Sequence, residues 1–140
     1  MSIKVPKFST INRIDDLKGL MSILEFPKEI PFLVKRLFYI YDVNDKVIRG
    51  QHANKKSEFL FIALAGSCKI KYYFNGKAYL YSLDNPNQSL YLPKMTWKEM
   101  YDFKKETTLL VLSNSLYDKN EYIRDFDEYI SHQKRGSNEN

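Results

Sequence analysis

The sequence predicts an all-β domain of antiparallel strands that ends in one short helix. Aromatic residues make up 15% of the chain, and most are tyrosine or phenylalanine, which favour pleated, half-buried surfaces. Short apolar runs separated by turn residues recur along the chain, and Asn75-Gly76 between two such runs is a strong hairpin signal. A helical spacing of apolar residues occurs near the C-terminus.

Each predicted strand is a run of branched and aromatic residues bounded by turn residues. The first run follows Pro27 and Pro31, and the apolar run that ends at Gly66 is too short for a confident helix. The predicted strands cover residues 32–41, 47–54, 58–65, 68–74, 78–83, 89–92 and 107–113. The predicted helix is indicated by the stripe of Tyr122, Ile123, Phe126, Tyr129 and Ile130.

The length of 140 residues suits a single domain with its own core. Residues 133–140 are polar and are predicted to form a flexible tail, which leaves residues 1–132 as the domain. Many short strands imply a sandwich or barrel whose edges are closed or are paired with another chain. A homodimer is therefore expected.

Charge and cysteine content limit the classes of function. The net charge of +5 is spread along the chain, without the concentrated basic and aromatic segment that nucleic-acid binding favours. Cys68 has no partner for a disulfide, which suits the reducing cytoplasm. No apolar run reaches the ~18 to 20 residues of a membrane-spanning helix, and the N-terminus lacks a signal-peptide pattern. We expect a cytoplasmic protein with neither nucleic-acid nor membrane partners.

His52 is the principal candidate for acid–base chemistry, because His132 borders the polar tail. If residues 52–58 form an extended strand without a bulge, His52, Asn54, Lys56 and Glu58 project from one face. The spacing alone also fits an ordinary solvent-exposed face.

The segment around His52 resembles the first sequence motif of the cupins. The second metal-ligating histidine of that motif is replaced by Asn54, and Lys98 lies near the place of a later histidine. His52 and Glu58 alone would supply fewer than the usual three or four protein ligands of a transition metal. We therefore expect no metal and no other cofactor.

A wider resemblance extends over nearly the whole chain, from about residue 3 to residue 130. The blocks that carry it, in order, are residues 35–42, 49–53, 66–68, 90–93, 97–103, 117–118 and 121–127. Together they resemble the small cupin 3,4-ketoisomerases of dTDP-4-keto-6-deoxyglucose, which make 3-keto sugars for later amination. The resemblance implies a jelly-roll type cupin barrel, a metal-free reaction, a dTDP-sugar substrate and a homodimer that exchanges N-terminal strands.

The resemblance also implies roles for individual residues. His52 would be the base that removes the C3 proton, since imidazole has an ordinary pKa near ~6.5. Tyr39 matches an active-site tyrosine of the family and would donate a proton or orient the sugar. Some relatives carry a histidine where this chain has Asn54, which does not titrate but could orient the sugar. The C4 proton donor and the C4 configuration of the product are left open.

Substrate-binding residues are predicted around this base. Arg36 or Arg49 would pair with the diphosphate. Alternation places Arg36 and Tyr39 on opposite faces of one strand, and we favour Tyr39 as the residue that faces the site. The remaining candidates are Lys56 and Glu58 beside His52, and Tyr91 and Trp97 as surfaces for thymine.

Two alternatives remain open at this point. A non-catalytic cupin could bind a nucleotide sugar and lack turnover because of Asn54. A 3,5-epimerase on the same scaffold would also remove a proton beside the 4-keto group, but would return it to the same carbon.

Overall fold

The computed structural model describes residues 4–138. Within this range the chain forms strands, one 3-10 turn (Lys119–Glu121) and one helix, α1 (Phe126–Asn138). The strands are β1 (Lys7–Thr10), β2 (Arg13–Asp16), β3 (Gly19–Ser22), β4 (Arg36–Tyr41), β5 (Arg49–Asn54), β6 (Phe59–Ala65), β7 (Cys68–Phe74), β8 (Lys77–Leu83), β9 (Gln88–Leu92), β10 (Trp97–Tyr101), β11 (Thr108–Ser113) and β12 (Tyr122–Ile123). The predicted all-β class with one C-terminal helix is confirmed.

Two five-stranded antiparallel sheets enclose the main core. The first sheet has the order β1-β9-β6-β11-β4, and the second has the order β12-β5-β10-β7-β8. Apolar side chains of both sheets pack between them, for example Phe61 and Val111 from the first sheet and Ile70 and Met100 from the second. Burial of these side chains is the main source of stability.

The predicted turn at Asn75-Gly76 is confirmed. Both residues have positive φ, +50° and +77°, and they join β7 to β8 as a two-residue hairpin loop. This backbone matches the twist of the two strands, and asparagine and glycine adopt it at low cost.

A β-bulge in β5 sets the direction of His52. His52 pairs with Lys98 of β10, whereas Gly50 pairs with the next residue, Glu99, so Gln51 is the extra residue. Gly50 and Gln51 both have positive φ. A Cβ at Gly50 would lie only 2.9 Å from the Lys98 carbonyl oxygen, so β10 approaches too closely for a larger residue.

The C-terminal helix differs from its prediction at both ends. Tyr122 and Ile123 belong to β12, and the helix begins at Phe126 because the Asp125 carboxylate accepts hydrogen bonds from the Asp127 and Glu128 backbone N–H groups (2.8 and 3.2 Å). The helix continues to residue 138, so residues 133–138 of the predicted tail are helical. Residues 139–140 lie outside the described residues.

The N-terminal strands β1 to β3 were not predicted. β1 pairs with β9, but β2 and β3 pair with each other in a separate two-stranded sheet whose eight residues are all exposed. Isolated hairpins of this kind are only marginally stable in water.

No helix within residues 4–138 is long and apolar enough to cross a membrane.

Candidate active site

A cavity of about 180 Å³ opens between the two sheets. The first sheet contributes aromatic and aliphatic side chains from β4 and β6, whereas the second contributes ionisable groups from β5 and β10. The lining residues are Phe38, Ile40, Arg49, Gly50, His52, Phe59, Phe61, Lys98, Met100 and Tyr122. The cavity therefore places a few polar groups on an apolar background, as ligand sites commonly do.

His52 is a half-buried imidazole that faces this cavity. Its Nδ1 lies 3.0 Å from the Gly50 carbonyl oxygen, which only accepts, so Nδ1 carries the hydrogen and Nε2 keeps a free lone pair. Burial lowers the pKa of His52 to about 3, the positive charges of Lys98 and Arg124 act in the same direction, and the hydrogen bond to Gly50 opposes them. The imidazole is therefore neutral at cellular pH and able to accept a proton.

Lys98 is a fully buried amine in the same cavity. It is the cross-strand neighbour of His52, and its Nζ lies 4.3 Å from the centre of the Phe59 ring. Burial lowers the pKa of Lys98 to about 7, Arg36 lowers it further, and Glu121 partly opposes the shift. Sequence analysis noted Lys98 only as the replacement for a histidine.

Asn54 lies behind Lys98 and does not line the cavity. Its Oδ1 accepts a hydrogen bond from Lys98 Nζ at 3.0 Å, and its Nδ2 donates to Glu121 Oε1 at 2.7 Å. Glu121 also accepts from the Ser57 backbone N–H at 3.1 Å. Asn54 therefore connects a buried cation to a buried carboxylate. Glu121 was not singled out from the sequence, although it lies in the last resembling block.

Positive charge surrounds the cavity. Arg49 lines its exposed side, and the Arg36 guanidinium lies 5.6 Å from the Phe38 ring centre. The Arg124 guanidinium lies 4.5 Å from the ring of Tyr122, which in turn lies 4.8 Å from the His52 ring. Together with Lys98, these groups favour an anionic ligand. Tyr122 and Arg124 were missed as site residues, although block 121–127 contains both.

The structure reverses the preference for Tyr39 over Arg36. The side chain of Tyr39 is 59% exposed and packs beside Tyr41 on the outer face of β4, whereas Phe38 and Ile40 line the cavity. Arg36 shares the inward face with those two residues because side chains alternate along a strand without a bulge. Within one chain the predicted inward direction of Tyr39 is therefore wrong, and its role in catalysis stays a prediction.

Lys56 and Glu58 also lie away from His52. Strand β5 ends at Asn54, and the alternation assumed over residues 52–58 ends with it. Lys56 forms an exposed ion pair with Asp118 at 2.9 Å. The Glu58 carboxylate pairs with Lys4 at 2.7 Å and accepts a hydrogen bond from the Tyr91 hydroxyl.

Neither predicted thymine surface faces the cavity. Trp97 is buried against α1, with its ring centre 5.2 Å from that of Phe126, and its Nε1 donates to Glu99. Tyr91 is buried on the outer face of the first sheet beside Phe32, and burial raises its pKa. Trp97 packs in the apolar cluster beside α1, whereas Tyr91 packs in the cluster on the outer face of the first sheet and lines a separate cavity there.

The donor set of the cavity does not favour a divalent metal. Among residues 4–138, no group of three or more histidine, cysteine, aspartate or glutamate side chains is gathered to hold one. The neighbour of His52 in the cavity is a lysine, whose ammonium would repel a cation.

Comparison with known proteins identifies the family. Residues 4–134 match the family described as "FdtA: WxcM-like, C-terminal". The TDP-4-oxo-6-deoxy-alpha-D-glucose-3,4-oxoisomerase of Aneurinibacillus thermoaerophilus is 35% identical over 123 residues, which is 88% of each chain. A 3,4-ketoisomerase from Helicobacter canadensis is 38% identical with a TM-score of 0.88, over 92% of this chain and 97% of its own.

A second solved relative was captured with a sugar nucleotide. The 3,4-ketoisomerase QdtA from Thermoanaerobacterium thermosaccharolyticum, a mutant in complex with TDP-4-keto-6-deoxyglucose, is 33% identical with a TM-score of 0.89, over 96% of this chain and 97% of its own. In contrast, a 3'-monoepimerase from Streptomyces bikiniensis is 14% identical with a TM-score of 0.76, over 87% of this chain and 70% of its own, and shares the fold alone. This chain therefore belongs to the FdtA (WxcM-like) family, and its relatives named here with more than 30% identity are 3,4-ketoisomerases or a 3,4-oxoisomerase.

Proposed function

We propose that this protein is a 3,4-ketoisomerase that converts dTDP-4-keto-6-deoxyglucose to its 3-keto isomer. The observation that carries the proposal is the neutral imidazole of His52, which faces a cavity surrounded by cations, in a chain of this family. A pure binding protein would not need an unprotonated imidazole directed into the cavity.

His52 begins the reaction as the general base. Its Nε2 accepts the proton at C3, which the neighbouring C4 ketone makes acidic, and the electron pair forms an enediolate with its charge on oxygen. The cationic side chains of Arg49 and Lys98 line the cavity in which this charge develops. Fixed charges in a water-poor site stabilise such an anion more than water does.

The diphosphate is expected to bind at the open side of the cavity. The volume of about 180 Å³ is below the ~300–1,000 Å³ of sites that enclose whole drug-sized ligands, so the cavity accommodates only the reacting sugar. Arg49 on the exposed side is our candidate for the diphosphate, with Arg36 and Arg124 adding positive charge nearby. The 3-keto product would suit later amination in surface-glycan biosynthesis.

Substitution of the proposed base tests this function. His52→Asn removes the proton acceptor and keeps a polar side chain of similar reach, so turnover should fall at least ~100-fold. Product formation from dTDP-4-keto-6-deoxyglucose in D2O is followed by NMR, and deuterium should enter at C4. A variant with full turnover would eliminate His52 as the base.

The same assay separates the alternatives. An epimerase would place deuterium at C3 or C5 and leave the ketone at C4, whereas a binding protein would give no product. A strong chelator should leave the rate unchanged; a loss that added metal restores would contradict the metal-free mechanism.

Localisation in the cytoplasm, where nucleotide sugars are made, remains a proposal from the single cysteine.

The protein is also proposed to be a homodimer that exchanges N-terminal strands. The β2–β3 hairpin exposes Ile14, Leu20 and Met21, and β4 is an edge strand with Leu37 and Tyr39 exposed on its outer face. In a dimer, the hairpin of each copy could cover the open β4 edge of the other copy, which would bury the exposed apolar side chains of both.

A further inference from the structure

A second titratable group lies in the cavity, and the base mechanism does not assign it a proton transfer. Lys98 is buried, lines the cavity and is the direct cross-strand neighbour of His52. Burying an ammonium is costly, and this one hydrogen-bonds to the neutral amide oxygen of Asn54, whereas no carboxylate of the described residues forms an ion pair with it.

We propose that Lys98 is the second catalytic residue and that its ammonium delivers the proton to C4. The inference rests on the proposed isomerisation and assigns the donor that the histidine mechanism leaves open. Lys98 then completes the reaction that His52 begins.

The other ionisable groups that line the cavity are less suited to this transfer. Arg49 lies on the exposed side of the cavity, where it is the candidate for the diphosphate, and His52 already holds the proton taken from C3. Tyr122 packs its ring against His52 under the Arg124 guanidinium. In contrast, the pKa of Lys98 is about 7, so this amine is both substantially charged and able to release its proton.

The bonds and protons of this route balance. His52 removes the C3 proton, and the O3 proton passes to the adjacent O4 to give an enediolate with its charge on O3. The electron pair on O3 then forms the C3 carbonyl as C4 takes a proton from Lys98 Nζ. The result is a 3-keto, 4-hydroxy sugar, with His52 protonated and Lys98 neutral. Transfer of one proton from His52 to Lys98 through solvent restores both groups.

The contacts of Lys98 hold its amine at a defined position. Asn54 accepts one of its hydrogen bonds, and Glu121 fixes the Asn54 amide by accepting from Nδ2. Two charged groups act on Lys98, Arg36 on β4 and Glu121 before β12, and the charge of Lys98 in turn lowers the pKa of His52 on β5. Asn54 and Glu121 are thus positioning residues for the amine.

Coulomb repulsion couples the two catalytic groups. The charge on Lys98 lowers the pKa of His52, so the pair favours a single positive charge. The pKa of Lys98, about 7, exceeds that of His52, about 3, so after Lys98 has given its proton to C4 its neutral amine is the preferred acceptor of the proton held by His52. The arrangement therefore favours alternate protonation during each turnover.

Two substitutions at Lys98 test the inference in the full-length protein. Lys98→Gln keeps a polar group near Asn54 but has no proton to donate, whereas Lys98→Arg keeps the charge but does not release a proton near neutrality. In D2O, NMR follows exchange of the substrate C3 proton separately from formation of the 3-keto product. Both variants should form product at least ~100-fold more slowly, and Lys98→Arg should retain C3 exchange within about tenfold of wild type.

Each other outcome counts against the inference. Product formation by either variant within about tenfold of wild type would overturn the role of Lys98 as donor. Loss of C3 exchange in Lys98→Arg would assign Lys98 to the first step instead. A wild-type protein that forms no product would refute the proposed function itself, whereas a wild-type isomerase with active Lys98 variants would refute this inference alone. Thermal unfolding of both variants confirms that they are folded.

Discussion

At the scale of single residues, burial shifts the two cavity bases in the same direction. The pKa of His52 falls to about 3 and that of Lys98 to about 7, because burial disfavours the charged form and both groups become cations on protonation. His52 is therefore free to accept a proton across the cellular pH range. Lys98 changes charge within that range, so its protonation should govern the pH dependence.

The shifts predict that kcat/KM falls on the alkaline side only. Above pH 3 His52 is neutral, so no loss is expected between pH 5 and 7, whereas above about pH 7 Lys98 loses the proton it would donate. Initial rates at low substrate concentration between pH 5 and 9 should fall about tenfold per pH unit at the upper end. An acidic limb near pH 6.5, the value of an ordinary histidine, would contradict the pKa assigned to His52.

At the scale of elements, the bulge in β5 determines which way His52 points. Gln51 is the extra residue, and Gly50 allows β5 to pass close to the Lys98 carbonyl of β10. Lys98, whose carbonyl oxygen lies beside Gly50, is also the residue whose amine is the proposed proton donor. The strand pair thus fixes the proposed base and the proposed acid relative to each other, and a change in the bulge should affect catalysis as well as stability.

Substitution of Gly50 tests this coupling. Gly50→Ala forces a residue with a side chain into a φ of +85° and brings its Cβ to 2.9 Å from the Lys98 oxygen, which should cost about 1–3 kcal/mol and at least ~10-fold in turnover. The matched control is Gly76→Ala, which has a φ of +77° but meets nothing within 4 Å. It should lose stability by the φ cost alone and keep its turnover. Turnover and stability to chemical denaturation are measured for both variants. Equal turnover in the two would contradict the idea that the bulge affects catalysis.

At the scale of the whole molecule, the N-terminal hairpin of β2 and β3 is left exposed by the rest of its own chain. β2 and β3 pair only with each other and are exposed along their full length, while the segment that follows them packs Ile30 and Phe32 onto the outer face of the first sheet. An exposed apolar hairpin of this kind is expected to find its partner surface on a second copy.

Charges introduced on the hairpin should dissociate the proposed homodimer. Leu20→Glu combined with Met21→Glu places two carboxylates on exposed apolar positions of β3, so sedimentation velocity should show a dimer for wild type and a monomer for the variant. Leu116→Glu, an equally exposed leucine outside the hairpin, should remain dimeric. A monomeric wild type, or a dimer that withstands both charges, would refute strand exchange.

The sequence alone determined the fold class and indicated His52 as the candidate base. Alternating apolar runs, the Asn75-Gly76 turn and the aromatic content all depend on local backbone preferences, which act within a few neighbouring residues. His52 was identifiable because its motif is contiguous, and the family followed from blocks spread over the chain. The helix start was misjudged because the stripe from Tyr122 continues across Asp125, whose side chain caps the helix.

Only the tertiary structure decided which other residues join His52. Lys98 lies on β10, Tyr122 on β12 and Arg124 directly after β12, all distant in sequence from His52, and their proximity to it depends on sheet order and register. Conversely, Tyr39 turns outward, because the direction of its side chain is set by which face of β4 meets the core. Strand pairing between distant segments determines these positions, and the alternation within any one strand leaves them undetermined.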